Sequence, residues 1–563
     1  MVPMGDGTTL VSALGALRRG PGKGFRFVGL DRQERYYPYE GLEEEAHRRA
    51  AFLVDRGLKK GDRVALVIPE PHEFVLTFLA CSVAGLVPVP IYPRASFKNA
   101  EGYVDILAHI IGTAEASAVF CLESNREVVA QIASRGVNVP LWDAARAFEG
   151  SAPSGGLPQV TEDDLCFLQF TSGSTSKPKG VMVSHGNLVA NARAFLGPRG
   201  LDRNDDDVGV SWLPLFHDMG LIGFALGTLV CDIPVVLMPT ETFGRSPRTW
   251  LEKISEHRGT ITYAPNFAYG LVTKRIKDRD LETLDLSHLR VAGCGAEPIR
   301  ARTLLDFAER LKPAGFSPKA FLPSYGMAEA TLAITFHQLG DEMKVDRVDQ
   351  DAMKDGVARP ADEGTTTPLD IVSCGEGFPE HEVRVVDESG AELPDRRVGQ
   401  VVTRGPSVTQ GYYQNPEATA DGWKDGWLQT GDLGYFAPDA KGHRNLYICG
   451  RIKDLIIIRG ANHYPQDIEW AVADIDGVRR DNVVAFSTPV DGVEELIVAA
   501  EAVSGDAERL RTEIAREVQR GFGLTPKHVA VVPVGTLPKT SSGKAQRRKT
   551  CMLYENGQLP EHD

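Results

Sequence analysis

Hydroxyls, glycines and two ammonium groups are concentrated in one stretch, Thr171-Ser172-Gly173-Ser174-Thr175-Ser176-Lys177-Pro178-Lys179-Gly180. Glycine lets a backbone close on an anion with no Cβ in the way, and hydroxyls and lysines complete a phosphate shell. An apolar run over 165–170 precedes the stretch and reads as a buried strand. Val181-Met182-Val183-Ser184-His185 follows it, with a helix expected from Asn187. Strand, hydroxyl-rich turn and lysines together form a candidate polyphosphate cradle. It is not a Walker loop, because the GxxxxGK[ST] spacing is absent and Pro178 interrupts the run. Taken alone, the stretch also fits a mobile Ser/Thr/Gly surface loop.

Other stretches place reactive side chains further along. Trp212-Leu213-Pro214-Leu215-Phe216-His217-Asp218-Met219-Gly220 sets a histidine among apolar residues, and Gly295-Ala296-Glu297-Pro298 carries a carboxylate in a turn. Ser324-Tyr325-Gly326-Met327-Ala328-Glu329 pairs an aromatic ring with an acid. Thr430-Gly431-Asp432 and Gly450-Arg451 come next, and Lys544 closes Pro538-Lys539-Thr540-Ser541-Ser542-Gly543-Lys544, with Arg547, Arg548 and Lys549 behind it. In isolation each has an ordinary reading: a satisfied core histidine, a solvated helix glutamate, a turn aspartate, a strand-end arginine, a basic exposed loop.

In this order, and together with the 171–180 stretch, these motifs resemble the adenylate-forming superfamily of acyl-CoA ligases, peptide-synthetase adenylation domains and luciferases. The resemblance runs from Phe170 to Arg548, most of the chain. It implies ATP and Mg²⁺ as cofactors. Thr171, Ser172, Gly173, Ser174, Thr175 and Lys179 would wrap the β- and γ-phosphates. Ser324, Tyr325, Gly326 and Met327 would form the adenine side, with Gly295, Ala296, Glu297 and Pro298 as its companion loop. Glu329 would bind the metal, since one carboxylate with phosphate oxygens and waters suffices for Mg²⁺. Asp432 and Arg451 would contact the ribose, and His217 would gate or orient the substrate carboxylate. Lys544 would swing in from a small domain to bridge that carboxylate and the α-phosphate, and Lys453 would be the pivot. Three departures stand out: Ser176 where the family has Gly, Ala328 where most relatives have Thr, and Gln400 where Glu is usual.

Within the superfamily the details resemble the fatty acyl-AMP ligases. They are Ser-Thr-Ser in the phosphate loop, Phe216-His217-Asp218-Met219-Gly220-Leu221, Ala264-Pro265-Asn266-Phe267-Ala268-Tyr269 and Met327-Ala328-Glu329. A polar segment at 341–367 falls where that branch carries an insertion between its two domains. The branch implies a fatty acid substrate, an acyl-AMP intermediate and transfer to the phosphopantetheine of an acyl carrier protein, commonly one serving a polyketide or peptide synthase. Two other readings remain: a fatty acyl-CoA ligase, and a non-catalytic nucleotide- or lipid-binding relative. The first separates by product, acyl-CoA against acyl-AMP; the second is disfavoured by the joint presence of Lys544, Glu329 and Asp432.

The elements that must hold these groups follow from hydrophobic periodicity. Near-continuous apolar runs at 63–68, 87–92, 118–121, 208–212, 235–238, 259–263 and 289–292 alternate with helical patterns at 40–56 and 71–84 and with Leu/Ala-rich stretches. That alternation is the signature of an α/β architecture with doubly wound sheets. Short β-like runs at 382–386 and 398–403 indicate a β-rich subdomain, with polar surface excursions expected at 341–367 and 417–427. After Arg451 the chain restarts as a small, mobile α+β domain. The expected division is a large domain over 1–451 and a lid over 452–563, hinged at 452–453.

Composition bounds the rest. A chain of 563 residues, 42% hydrophobic and 25% charged, with a net charge of −14, is a globular enzyme and not a nucleic-acid binder. Its eight cysteines form no CxxC pair, so no structural zinc and a reducing, cytoplasmic setting are expected. Arg18 and Arg19 follow the apolar patch at 10–17 instead of preceding it, unlike a signal peptide. The apolar run at 74–87 is too short to span a bilayer, so no stable membrane insertion is expected.

Overall fold

The computed structural model describes residues 7–17, 20, 22–93, 100–150, 156–171, 177–490, 493–502, 506–540 and 543–562. A nine-stranded sheet organises the large lobe. Its centre is six parallel strands in the order Phe321–Gly326, Val291–Cys294, Ile261–Ala264, Gly209–Ser211, Val235–Leu237 and Gly24–Val28. Antiparallel strands finish both edges: Ala333–Phe336 and Glu376–Gly377 on one side, Glu34–Pro38 on the other. A second sheet is wholly parallel, with Val87–Pro90, Arg63–Val67, Ala118–Cys121 and Leu141–Asp143 side by side. The central parallel strands are buried because helices cover both faces, which is why they read as unbroken apolar runs. Helix Pro71–Val83, with proline in its first turn, is buried along most of its length.

The strand expected before the phosphate stretch is present, but in an antiparallel pair of its own. Leu165–Thr171 pairs with Lys179–Ser184, and Thr171 faces Lys179 in the last register pair. The hydroxyl-rich stretch is therefore the connection of a hairpin. Helix His185–Leu196 follows at once, capped by Ser184, whose Oγ accepts the Asn187 N–H at 3.0 Å.

Beyond residue 367 an antiparallel sheet of Glu382–Val386, Gly399–Arg404, Trp423–Lys424, Trp427–Pro438 and Arg444–Arg451 makes the β-rich subdomain. The two polar excursions are more ordered than their composition suggests. Within the first, Val345–Asp349 pairs with Pro368–Val372 and is followed by helix Gln350–Lys354. Val348, Met353 and Ala358 are buried against Tyr435, Tyr447 and Tyr464. A few apolar side chains in register, with Asp346 taking the Tyr435 hydroxyl at 2.7 Å and Arg396 at 3.0 Å, suffice to pin it. In the second, Asn415 caps a short helix, Pro416–Gly422.

The small lobe has a core of its own. Strands Val478–Val490, Val493–Ala502 and His528–Val532 form its sheet, covered by helices Pro465–Ala473 and Ala507–Phe522. Leu510, Ile514, Val518 and Phe522 recur at helical spacing and are buried, Asp506 caps the start, and Gly523 at φ +67° ends the helix. Seven of the eight cysteines are buried and Cys551 is partly so. Among the described residues no helix is long and apolar enough to cross a membrane.

Candidate active site

Glu329 lies in a single tight turn, Ala328–Ala330, directly after the strand that carries Tyr325. It is only 8% exposed. The next residue, Thr331, is wholly buried at φ +67°, ψ −64°, and Leu332 N–H closes the turn on Ala330 O at 2.8 Å. A β-branched residue in that region stores strain of about 1–3 kcal/mol. The Thr331 hydroxyl, donating to Ser407 O at 2.6 Å, holds it there. Gly326 is required a few residues earlier, because a Cβ there would lie 1.9 Å from Leu332 O. Burial raises the Glu329 carboxyl above its usual range, opposed by the Tyr412 hydroxyl, which donates to Glu329 Oε1 at 2.7 Å.

Lys179 stands on the other side of the same tyrosine, its ammonium 4.9 Å from the Tyr412 ring centre. Thr171 opposes it across the hairpin. Ser172, Gly173, Ser174 and Thr175 lie outside the described residues.

Asp432 and Arg451 are register partners in the β-rich subdomain. Arg451 Nε is 3.2 Å from Asp432 Oδ1, and the Tyr325 hydroxyl donates to Asp432 Oδ2 at 2.7 Å. Burial raises Asp432, which is 6% exposed, while Arg451 pulls the other way. Three groups read separately in the sequence thus form one cluster. Ser324 Oγ donates to Leu322 O at 2.9 Å, and a Cβ on Gly295 would meet Ser324 O at 2.9 Å, so the 295–298 turn packs directly on this strand. Ala296 adopts φ +69° in that turn, and Met327 packs into the β-subdomain core beside Tyr325.

Lys544 comes from the small lobe. Thr540 N–H donates to Lys544 O at 2.8 Å and Lys544 N–H to Thr540 Oγ1 at 3.1 Å, a turn that Gly543 completes at φ +88°. A Cβ on Gly543 would sit 4.0 Å from Phe267 Cε1 of the large lobe. The ammonium faces Glu297 and Asp218, and burial, outweighing these carboxylates, lowers its pKa. Glu297 accepts the Phe267 N–H at 2.8 Å, and burial raises it. Asp218 Oδ1 is 2.6 Å from His217 Nδ1; burial would raise its pKa, but His217 and Lys544 bring it below the usual range. Lys453 is exposed in the turn Ile452–Asp454 between the lobes. Arg300 of the large lobe meets Asp474 of the small lobe through both guanidinium nitrogens, at 3.2 and 2.6 Å.

Two members of this constellation escaped the sequence reading. Asp218 adjoins His217, and the adjacency of an acid and a histidine was its only signal. Tyr412 sits 83 residues from Glu329 in a Gln-Gly-Tyr-Tyr run, and no spacing ties the two.

The donor set around Glu329 fits a magnesium ion that arrives with a nucleotide: one buried carboxylate, leaving phosphate oxygens and waters as the remaining ligands. Among the described residues the one cluster of three residues that could ligate a metal is Glu34, Glu256 and His257. There Lys253 supplies the positive charge, 2.8 Å from Glu34 and 2.6 Å from Glu256.

A lysine of the small lobe in the field of partly buried carboxylates of the large lobe, together with an Asp–Arg–Tyr cluster, fits an adenylate-forming ligase. The chain belongs to the AMP-binding enzyme family, whose model matches residues 19–413. Residues 453–563 match the Disco-interacting protein 2-like AMP domain. A putative acyl-CoA synthetase of Caulobacter vibrioides is 40% identical, over 92% of this chain and 90% of that protein. The medium-chain-fatty-acid–[acyl-carrier-protein] ligase TtuA of Teredinibacter turnerae is 33% identical, over 88% of this chain and 85% of its own. A structure from studies of fatty acyl-adenylate ligases of E. coli and L. pneumophila superposes with a TM-score of 0.92 at 35% identity, covering 99% of both chains.

Proposed function

We propose that the enzyme joins a medium- or long-chain fatty acid to ATP and passes the acyl group to the phosphopantetheine thiol of an acyl carrier protein. A carboxylate oxygen of the fatty acid attacks the α-phosphorus, the bond from that phosphorus to the bridging oxygen breaks, and pyrophosphate leaves. The carrier thiol then takes the acyl group and AMP departs. The observation that carries this reading is the lysine loop of the small lobe, which meets the large lobe at Phe267 and sets the Lys544 ammonium in the field of Glu297 and Asp218. An ammonium there meets negative charge as it grows on the α-phosphate and the incoming carboxylate. His217, steadied by Asp218, orients the carboxylate, while Asp432 and Arg451 hold the ribose and Tyr325 the base. Lys179 and the preceding hydroxyls grip the β- and γ-phosphates. Glu329 is the residue that would hold a magnesium ion arriving with the nucleotide, which would supply positive charge against the phosphates.

The choice of carrier protein over CoA rests on the 341–367 segment. Its Met353 shares a cluster with Tyr464 of the small lobe, and Leu455 packs against that cluster, so rotation of the lid would have to break this packing. The likeness to TtuA supports the same acceptor, while the Caulobacter relative's name keeps an acyl-CoA ligase as the second reading. Incubating the enzyme with ATP, Mg²⁺, a panel of fatty acids and CoA decides between them. Accumulated acyl-AMP that is discharged only by a phosphopantetheinylated carrier protein is expected; rapid acyl-CoA formation would establish the second reading instead.

A further inference from the structure

We infer that Tyr412 is a positioning residue that sets the metal-side carboxylate Glu329 and the phosphate-side cation Lys179 at a fixed separation before nucleotide arrives. The inference rests on the proposed role of Glu329. One side chain touches both groups by different means: its hydroxyl donates to Glu329 Oε1 at 2.7 Å, and its ring lies 4.9 Å from the Lys179 ammonium. Both contacts involve charged partners in a partly desolvated place, where such interactions are strongest.

The segment around Tyr412 is built to hold it still. Thr409 donates both its N–H and its hydroxyl to Glu329 O, each at 3.0 Å. Met182 N–H donates to Gly411 O at 3.0 Å and Tyr413 N–H to Gly180 O at 2.8 Å, so the segment is laced to the strand leaving the phosphate hairpin. On the outer side, Tyr412 N–H donates to Thr419 Oγ1 at 2.9 Å, and the ring meets Trp423 edge-on at 5.3 Å. Gly411, at φ +131°, admits no side chain there: a Cβ would lie 2.3 Å from Thr419 Cγ2. The short helix after Asn415 is thus a buttress for the tyrosine. Residues 409–413 tie the Glu329 turn and the phosphate hairpin into one rigid unit, and Tyr412 is the side chain through which that rigidity reaches both charges.

The test uses the full-length chain and calorimetric titration with ATP, no fatty acid present, with Mg²⁺ and without it. Glu329→Gln first checks the underlying reading: it should abolish the tightening that Mg²⁺ gives, and a normal Mg²⁺ response in that variant would overturn both the role of Glu329 and this inference. Tyr412→Phe keeps the ring and loses the hydroxyl. It should leave Mg²⁺-free affinity within about twofold and cut the Mg²⁺-dependent tightening about tenfold, the scale of a hydrogen bond to a charged group. Tyr412→Leu, which loses the ring as well, should also weaken Mg²⁺-free binding about threefold through Lys179. A tyrosine that merely packs on Trp423 would leave Tyr412→Phe indistinguishable from wild type; that result, with Glu329→Gln impaired, would overturn the inference alone.

Discussion

Lys544 carries the residue-scale argument because its neighbours are acidic and belong to the other lobe. Its ammonium is partly desolvated, which lowers its pKa, and Glu297 and Asp218 oppose that shift. Lys544→Ala should lower fatty-acid-dependent pyrophosphate exchange by about 10²–10³-fold, as loss of a group stabilising developing charge does. ATP affinity measured by calorimetry should change little, since the proposed grip on the β- and γ-phosphates lies elsewhere; near-normal exchange would remove the lysine from the chemistry. His185 gives a second prediction. It is 1% exposed, its Nδ1 accepts the Leu10 N–H at 3.2 Å, and burial lowers its pKa to about 4. The unfolded chain binds this proton near pH 6.5, so the stabilisation is complete above that pH and is lost as the pH falls towards 4. The shift corresponds to about 3 kcal/mol. Urea unfolding at pH 7.5 and pH 5 should show the loss, and His185→Gln should flatten the pH dependence. Legibility at this scale followed local chemistry: Lys544, Glu329 and Asp432 stood out by type and motif. Tyr412 and Asp218 did not, because their roles come from partners brought up by packing.

At the scale of elements, the parallel strands were legible because burial on both faces leaves them uniformly apolar, as at 63–67 and 118–121. The hairpin around the phosphate stretch was not, since Leu165–Thr171 has the same apolar texture as a parallel strand and pairing direction leaves no mark on composition. The 341–367 segment was legible as a surface excursion but its ordered packing was not, for a related reason. Its average polarity is real, but Val348, Met353 and Ala358 are the few residues that decide its packing. Deleting the whole segment would uncover Tyr435 and Tyr447 and strip Arg396 of Asp346, so a point change is the cleaner probe. Met353→Ala removes a side chain that is 1% exposed, at a local cost of about 2–5 kcal/mol. If that packing resists lid rotation, the variant should gain acyl-CoA formation several-fold while its acyl-AMP formation persists. Unchanged exclusion of CoA in a folded variant would place the restraint elsewhere.

Across the whole molecule, two lobes with separate cores meet through the apolar cluster of Met353, Tyr464 and Leu455, through the lysine loop against Phe267, and through polar contacts. Among the polar contacts Arg300 and Asp474 form an ion pair, and the charges of Arg480, Asp481 and Asp474 of the small lobe act on Lys274. A half-exposed ion pair contributes about 1 kcal/mol or less, which suits an interface that, on the proposed function, opens to release product and admit a carrier arm. The orientation that delivers Lys544 is therefore biased by electrostatics as well as by apolar packing. Reversing one partner, Arg300→Asp, sets two carboxylates against each other and should lower adenylation about two- to fivefold, with the deficit shrinking as salt screens the repulsion. Nucleotide binding by the large lobe should be unaffected, because Glu329, Asp432 and Lys179 lie within it. The double variant Arg300→Asp with Asp474→Arg recreates the pair in the opposite sense and should recover most of the rate. If the single variant is silent at low ionic strength, or the reversed pair fails to restore what it lost, the lobes are oriented by the lysine loop and the hinge without help from this contact.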